Sequence, residues 1–402
     1  MKFLPALFRK SIKLGHLTLI APDGSSEEFG TKDGSVPVVI RINDKSLDWK
    51  IPFNPELKAA EAYMDGTLEV LEGDVYDFLL LFYRNRKQID RSPGQVFWGT
   101  VSRKLRRLQQ HNPIARAKAH VKHHYDLKDE LFDLFLDEDK QYSCAYFPKG
   151  TETLEQAQIE KKNHIINKLN IKRGQTVLDI GCGWGGMALE IAARYEVKVK
   201  GITLSENQAK IARLRATEAG VSDRVSFDIC DYRNISEKFD RIVSVGMLEH
   251  VGAHHLKEYF TTVRNLLGPN GVALIHSIST KSPPGITGPF IRKYIFPNGY
   301  SPSLSEIVSA VELSGLWTLD VETWRHHYGY TLREWRKRFS ARRSDAVEMY
   351  DEKFARMWEF YLAACEGVFM HGSANVVQIQ LGRNADGVPL TRDYLYKKPR
   401  KK

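Results

Sequence analysis

From about residue 150 onward, short apolar segments alternate with longer stretches of helical periodicity, and this alternation limits the possible folds more than any other feature of the chain. The strand candidates are TVLDIG at 176–181, VKVKGIT at 197–203, VSFDIC at 225–230, RIVSVG at 241–246 and GVALIHSI at 271–278. Between them lie GGMALEIAARY, SENQAKIARLRATEAG and HHLKEYFTTVRNLL, each with apolar residues at three- and four-residue spacing. Near-continuous apolar strands separated by amphipathic helices need cover on both faces of a parallel sheet. The pattern predicts an α/β, doubly wound Rossmann-like domain, with ligands expected at the carboxyl ends of its strands.

The first hundred residues read differently. LTLIAPDG and PVVIRI predict strands with turns, while PELKAAEAYMDGTLEV and DVYDFLLLFYRNR read as helical, which makes a smaller mixed α/β domain without a catalytic constellation. Seven cations and no carboxylate fall between Arg103 and His124, and the tail after Tyr396 adds five more. The expected division is therefore an accessory, lipid-associated domain at 1–100, a basic linker at 101–124 and a catalytic domain at 125–402. The net charge of +10 points to an anionic partner, although charge alone does not choose among nucleic acid, an anionic bilayer and an acidic metabolite. A solvated helix face accounts for the internal basic run equally well, and a frayed terminus accounts for the basic tail better than headgroup binding does. The four cysteines, Cys144, Cys182, Cys230 and Cys365, form no C-x-x-C pair, so a reducing compartment is expected. The opening MKFLPALFRKSIKLG is too short in its apolar run for a secretory signal, and no later run approaches the roughly 20 residues that span a bilayer.

The strongest local signal is Val177-Leu178-Asp179-Ile180-Gly181-Cys182-Gly183-Trp184-Gly185-Gly186, a strand running into a glycine-rich turn and a helix. Gly181 and Gly183 permit backbone geometry and ligand approach that a side chain obstructs. The spacing is not that of a nicotinamide site. It resembles motif I of class I methyltransferases, which implies S-adenosylmethionine, with Gly181 and Gly183 beneath its methionine portion and Asp179 organising the loop. The second strand ends at Thr203, where many methyltransferases carry an acidic ribose contact, and Gln208 becomes the better ribose candidate because an amide both donates and accepts. Asp231 and Tyr232 follow the third strand, where the adenine is expected to be read.

Five separated segments converge on one family: Tyr142-Ser143-Cys144-Ala145-Tyr146-Phe147, the glycine loop, Gly246-Met247-Leu248-Glu249-His250-Val251-Gly252, His276-Ser277-Ile278 and Tyr328-x-x-Thr331-Leu332. Together they resemble the cyclopropane-fatty-acyl-phospholipid synthases and the related mycolic-acid methyltransferases over roughly residues 120 to 395. The resemblance implies a bicarbonate ion bound by Cys144, Glu249, His276, Tyr328 and the backbone amide of Ile278, with Tyr142 and Ser143 on the cofactor. It also implies that His124-Tyr125-Asp126 closes over the cofactor. Met370 departs from the arginine that many relatives carry after the phenylalanine.

The implied chemistry suits this equipment. An isolated alkene is a weak nucleophile, so a sulfonium methyl must be held close to it in a pocket poor in water. Methyl transfer leaves a carbocation, and ring closure needs a base for one proton of the new methyl group. Taken singly, Cys144, His276 and Tyr328 read as packing residues; their joint occurrence gives them their meaning. The same cation also leads to methyl-branched, methylene or hydroxylated products. A nucleic-acid methyltransferase would need a base-reading platform or an N-P-P-Y-like motif, and the sequence has neither. The expected partners are unsaturated phospholipid in an anionic membrane and, by analogy, a second copy of the chain, with no nucleic acid and no metal. The expected location is cytoplasmic, peripheral at the inner face of the membrane.

Overall fold

The computed structural model describes residues 1–86 and 127–396. The basic segment 103–122, His123 to Asp126 and the tail cations lie outside the described residues. The chain divides into two compact units that interleave in sequence. One comprises Met1–Arg106, Ile286–Pro297 and Leu332–Ser373; the other comprises Arg107–Gly285, Asn298–Thr331 and Ala374–Lys402. The expected stretches at 1–100, 101–124 and 125–402 are each contiguous, whereas this grouping places helices late in the chain with the N-terminal residues.

In the first unit, β1 (His16–Ile20), β2 (Ser26–Gly30), β3 (Val38–Ile42) and β4 (Leu68–Glu72) form a sheet in the order β2-β1-β3-β4. Its apolar face, including Leu17, Leu19, Val38, Ile40 and Ile42, packs with Leu4 and Phe8 of the helix Phe3–Ser11. Pro5 sits in the first turn of that helix, where a missing N–H costs nothing. The stretch PELKAAEAYMDGTLEV is helical only over Pro55–Met64; Gly66, at φ +69°, turns the chain into β4, so the expectation of helix throughout is corrected. The helix Val75–Arg84 starts at a reciprocal cap between Asp74 and Asp77 and packs with the later helix Glu352–Met370, where Tyr83 Oη donates to the Ala364 carbonyl at 2.9 Å.

The second unit carries the expected sheet, formed by β5 (Thr176–Ile180), β6 (Lys198–Thr203), β7 (Val225–Ile229), β8 (Phe239–Val245), β9 (Leu267–Thr280), β10 (Trp317–Trp324) and β11 (Ala374–Gly382). Its order is β10-β11-β9-β8-β5-β6-β7, with β5 to β9 mutually parallel where they pair and β11 antiparallel to both of its neighbours. Two apolar clusters cover the sheet. One is built from Ile165, Ile191 and Ala212, the other from Tyr259, Val263 and Val311. Strand order reverses between β5 and β8, and their carboxyl ends bound the crevice in which a doubly wound sheet binds ligands.

Candidate active site at the carboxyl ends of β5, β8 and β9

The glycine loop leaves β5 with left-handed backbone at Gly181 (φ +79°), Gly183 (φ +55°) and Gly185 (φ +86°). The amides of Gly181 and Cys182 both donate to the Ile202 carbonyl, at 2.9 and 3.0 Å, which ties the turn to the end of β6. A Cβ on Gly181 would approach Met247 to 3.2 Å, whereas one on Gly183 would meet nothing within 4 Å. Gly183 thus faces open space, as a backbone awaiting a ligand does. Asp179 is buried on β5 with Oδ2 unpartnered, and burial raises its carboxyl to about 7 against the opposing field of Lys161.

At the end of β6, Thr203 Oγ1 donates to Gln208 Oε1 at 2.9 Å, while the Ser205 side chain caps the helix Glu206–Glu218. Part of the acceptor capacity expected of Gln208 is therefore spent on Thr203. Asp231 is buried and grips Arg233 through both oxygens, at 2.9 and 2.7 Å. Tyr232 packs edge-on to Tyr259 with centroids 5.3 Å apart, as a member of the core.

The segment 137–147 lies beside this loop. Tyr142 packs edge-on to Phe132, and the Ser143 hydroxyl accepts from Lys161 Nζ at 2.8 Å. Cys144 is fully buried, its thiol donating to the Ala145 carbonyl at 3.3 Å, and burial pushes that thiol far above its usual range. Thr331 Oγ1 accepts the Ala145 amide at 3.0 Å, and His327 Nδ1 accepts that of Phe147 at 3.0 Å. These two bonds dock the start of the helix His327–Ala341, and with it half-buried Tyr328, against the segment that carries Cys144.

Across the crevice, Glu249 Oε1 accepts the Ile278 amide at 2.5 Å, and its buried Oε2 has no partner. Burial raises this carboxyl to about 7. His276, two residues earlier on β9, shares a strand face with Ile278. Gln378 Nε2 donates to its Nδ1 at 3.0 Å, and the Trp324 ring stands perpendicular to it at 5.1 Å. Burial keeps the imidazole neutral, so the bond at Nδ1 places its proton on Nε2 as a donor. The fold thus joins Glu249 directly to Ile278, brings Cys144 to the helix of Tyr328, and sets Lys161 where its charge acts on Cys144, Asp179 and His276.

A family profile described as mycolic acid cyclopropane synthetase matches residues 112–379. The chain belongs to this family. A domain of unknown function matches residues 3–92. The chain is 37% identical over 357 residues to the cyclopropane-fatty-acyl-phospholipid synthase of Escherichia coli K12, covering 88% of this chain and 90% of that one. It is 35% identical over 386 residues to a "probable fatty acid methyltransferase" of Pseudomonas putida, covering 93% and 95%. Among solved structures, the mycolic acid cyclopropane synthase CmaA1, complexed with SAH and CTAB, aligns with TM-score 0.63 at 32% identity. That alignment covers 68% of this chain and 99% of CmaA1. The Rossmann-like class I methyltransferase fold expected from the glycine loop is thereby established for this member of the cyclopropane synthetase family.

Family motifs mark the candidate site side chains, and Thr331 lies within one of them, Tyr328-x-x-Thr331-Leu332; the contacts of Thr331 with Ala145 and of Gln378 with His276 have no local signal. Lys161 did leave a signal, because it falls on the apolar stripe Leu154, Ala157, Ile165 of the helix Leu154–Leu169, where a cation needs buried partners.

Proposed function

We propose that this chain transfers a methyl carbon from S-adenosylmethionine to the cis double bond of an unsaturated phospholipid acyl chain and closes a cyclopropane ring. The observation that carries the proposal is the buried Cys144, Glu249 and His276, with the half-buried Ile278 bonded to Glu249, beside a glycine loop that is open at Gly183. Several features fit the cofactor. They are the open face of Gly183, the unpartnered Oδ2 of Asp179, and the Gln208 amide nitrogen, which has no partner among the described residues. Residues Tyr142, Ser143, Asp179, Gly181, Gly183, Thr203, Gln208, Asp231 and Tyr232 would line its site, and the core position of Tyr232 limits that residue to a packing role there.

S-Adenosylmethionine supplies an electrophilic methyl group when bound. The π electrons of the alkene form the new C–C bond as the C–S bond breaks, leaving a cation on the acyl chain. Loss of a proton from the new methyl group then frees the electron pair that closes the ring. A bound bicarbonate would supply the base; Cys144, the Nε2–H of His276, Tyr328 and the Ile278 amide would be its donors, and Glu249 Oε2 the acceptor for its hydroxyl. The Ile278 amide is engaged by Glu249 Oε1, so anion binding has to displace that oxygen.

Peripheral attachment to an anionic membrane, at its cytoplasmic face, is part of the same proposal, with the N-terminal unit as the lipid-associated one. No helix among the described residues is long and apolar enough to cross a membrane. Trp49 and Phe53 lie one turn apart on the helix Leu47–Phe53, at 56% and 71% exposure. Asp48 of that helix accepts the amide of Phe3, itself 63% exposed, so three exposed aromatic residues lie on neighbouring elements of this unit, the residue type suited to a headgroup interface. Co-sedimentation with neutral and anionic vesicles tests this, and equal binding to both removes the role of the basic segments.

The activity is tested by incubating unsaturated phospholipid vesicles with the protein and labelled S-adenosylmethionine, followed by mass spectrometry and proton NMR of the acyl chains. Gain of one labelled CH2 with upfield ring protons supports cyclopropanation. A labelled branch without a ring gives the fatty acid methyltransferase reading that the Pseudomonas relative's name suggests, and absence of label sinks the proposal.

A further inference from the structure

Lys161 takes no part in the chemistry above, yet it is wholly buried beside that site. Its Nζ donates to Gln141 Oε1 at 2.7 Å and to Ser143 Oγ at 2.8 Å. Three residues earlier on the same helix, Gln158 Nε2 donates to the carbonyls of Gln141 and Ser143, both at 3.1 Å. The next residue, Lys162, donates to Asp139 Oδ2 at 2.7 Å. One helix face therefore fixes both the backbone and the side chains of 139–143.

The chemistry of the Lys161 contact is directional. An ammonium only donates, so the Ser143 oxygen must accept from it, and the hydroxyl's own proton has to point elsewhere. A serine that is free to rotate can turn its proton in any direction; held by Lys161, one lone pair is engaged and the proton is turned away from the ammonium, which directs the O–H outward as a donor. The groups around the ammonium are Asp137, Asp139 and Cys144 from the segment it holds, Lys162 from its own helix, Asp179 from β5 and His276 from β9. The carboxylates keep it charged against the cost of burial.

We propose that Lys161 is a positioning residue for the methyl donor, whose ammonium fixes the Ser143 hydroxyl as a hydrogen-bond donor toward an acceptor oxygen of the bound S-adenosyl compound. The proposal rests on the reading of the glycine loop as the S-adenosylmethionine site. Burial lowers the Lys161 amine to about 8, with Asp137 and Asp139 opposing, so the fixed polarity holds at neutral pH and is lost in mild alkali. A neutral amine can itself accept, and Ser143 then regains its freedom.

The test is calorimetric titration of the full-length protein with S-adenosylhomocysteine, for wild type, Lys161→Met, Ser143→Ala and the double variant at neutral pH. Each single change is expected to weaken binding about tenfold, and the double change by no more than about tenfold, because both remove one interaction. A second series compares wild type with Ser143→Ala from about pH 7 to about pH 9. Wild-type affinity is expected to fall about tenfold more than that of the variant, the ligand's own titration being common to both. This series keeps the test decisive if Lys161→Met does not fold. Additive losses, or parallel pH profiles, overturn the role of Lys161 while leaving the cofactor site intact. Absence of any binding to wild type overturns the cofactor reading and this proposal with it.

Discussion

Glu249 holds the Ile278 amide at 2.5 Å through one oxygen while its other oxygen is buried and unpartnered. On the proposed mechanism this carboxylate would give up its backbone partner to a small anion. Burial raises it from the ordinary 4.5 to about 7, so the fold favours the protonated form. The contribution of this group to stability is therefore complete below 4.5 and is lost as pH rises through about 7. The role proposed for it above runs the other way, since only the ionised group accepts a hydroxyl proton. Glu249→Gln is expected to flatten the dependence of Tm on pH across this window and to lower turnover by about a hundredfold. Melting curves and initial rates over the same pH series check both, and an unchanged slope would remove Glu249 as the titrating group.

The glycines of the cofactor loop separate stability from binding. A Cβ at Gly185 would lie 2.7 Å from the Phe227 ring and 3.0 Å from Ala212 Cβ, on left-handed backbone. Gly185→Ala is expected to cost about 2–4 kcal/mol from strain and overpacking together. At Gly183 the space is open, so Gly183→Ala carries only the left-handed penalty, about 1–2 kcal/mol. On the proposed reading its methyl group would nevertheless occupy the side from which the cofactor approaches. Denaturant titration should therefore rank Gly185→Ala as the more destabilising change, while S-adenosylhomocysteine binding should suffer at Gly183→Ala even where the protein remains folded.

What the sequence made legible follows from how local each signal is. The order β5 to β9 could be read because each strand is a continuous apolar run and each intervening helix has its own period, so no distant residue was needed. The start of β4 was misread as helix because Leu68-Glu69-Val70 continues the spacing of Pro55–Met64, and only Gly66 marks the break. The candidate site residues lie in motifs, as Thr331 does, whereas which residue each one meets is hidden by distance. Gln378 meets His276 across 102 positions, and Thr331 meets Ala145 across 186. The interleaved units are hidden for the same reason, since the helix Glu352–Met370 finds Tyr83 far back in the chain.

Gln378 is fully buried on β11, directly across from His276 on β9, and its amide fixes the neutral ring with the proton on Nε2. Gln378→Leu keeps the volume and removes the constraint, leaving the imidazole to divide between tautomers. The expected result is a fall in kcat of about tenfold with little change in KM, because on the proposed mechanism the lost donor would serve the bound anion and not lipid binding. Steady-state kinetics on phospholipid vesicles distinguish this from general damage, which would raise KM and lower the melting temperature together.

Glu322 on β10 anchors the other side of the His276 wall. Its Oε2 is shared by His164 Nε2 at 2.6 Å and by Lys168 Nζ, and the Lys168 side chain has no exposure at all. Despite burial, these partners hold Glu322 far below the carboxylate range. Its stabilising contribution is therefore present above the ordinary 4.5 and fades only as the solution becomes strongly acidic. Glu322→Leu removes the carboxylate and leaves the Lys168 ammonium buried without it, which is expected to cost about 3–5 kcal/mol. Adding Lys168→Met should recover most of that loss, because an apolar pair of similar volume has no charge to desolvate. Trp324 lies two residues further along the same strand with its ring against His276, so the single variant should also lose turnover and the double variant regain it. Urea unfolding and rates on the two proteins decide the matter: a double variant no more stable than Glu322→Leu would show that packing around β10, and not the stranded charge, sets the cost.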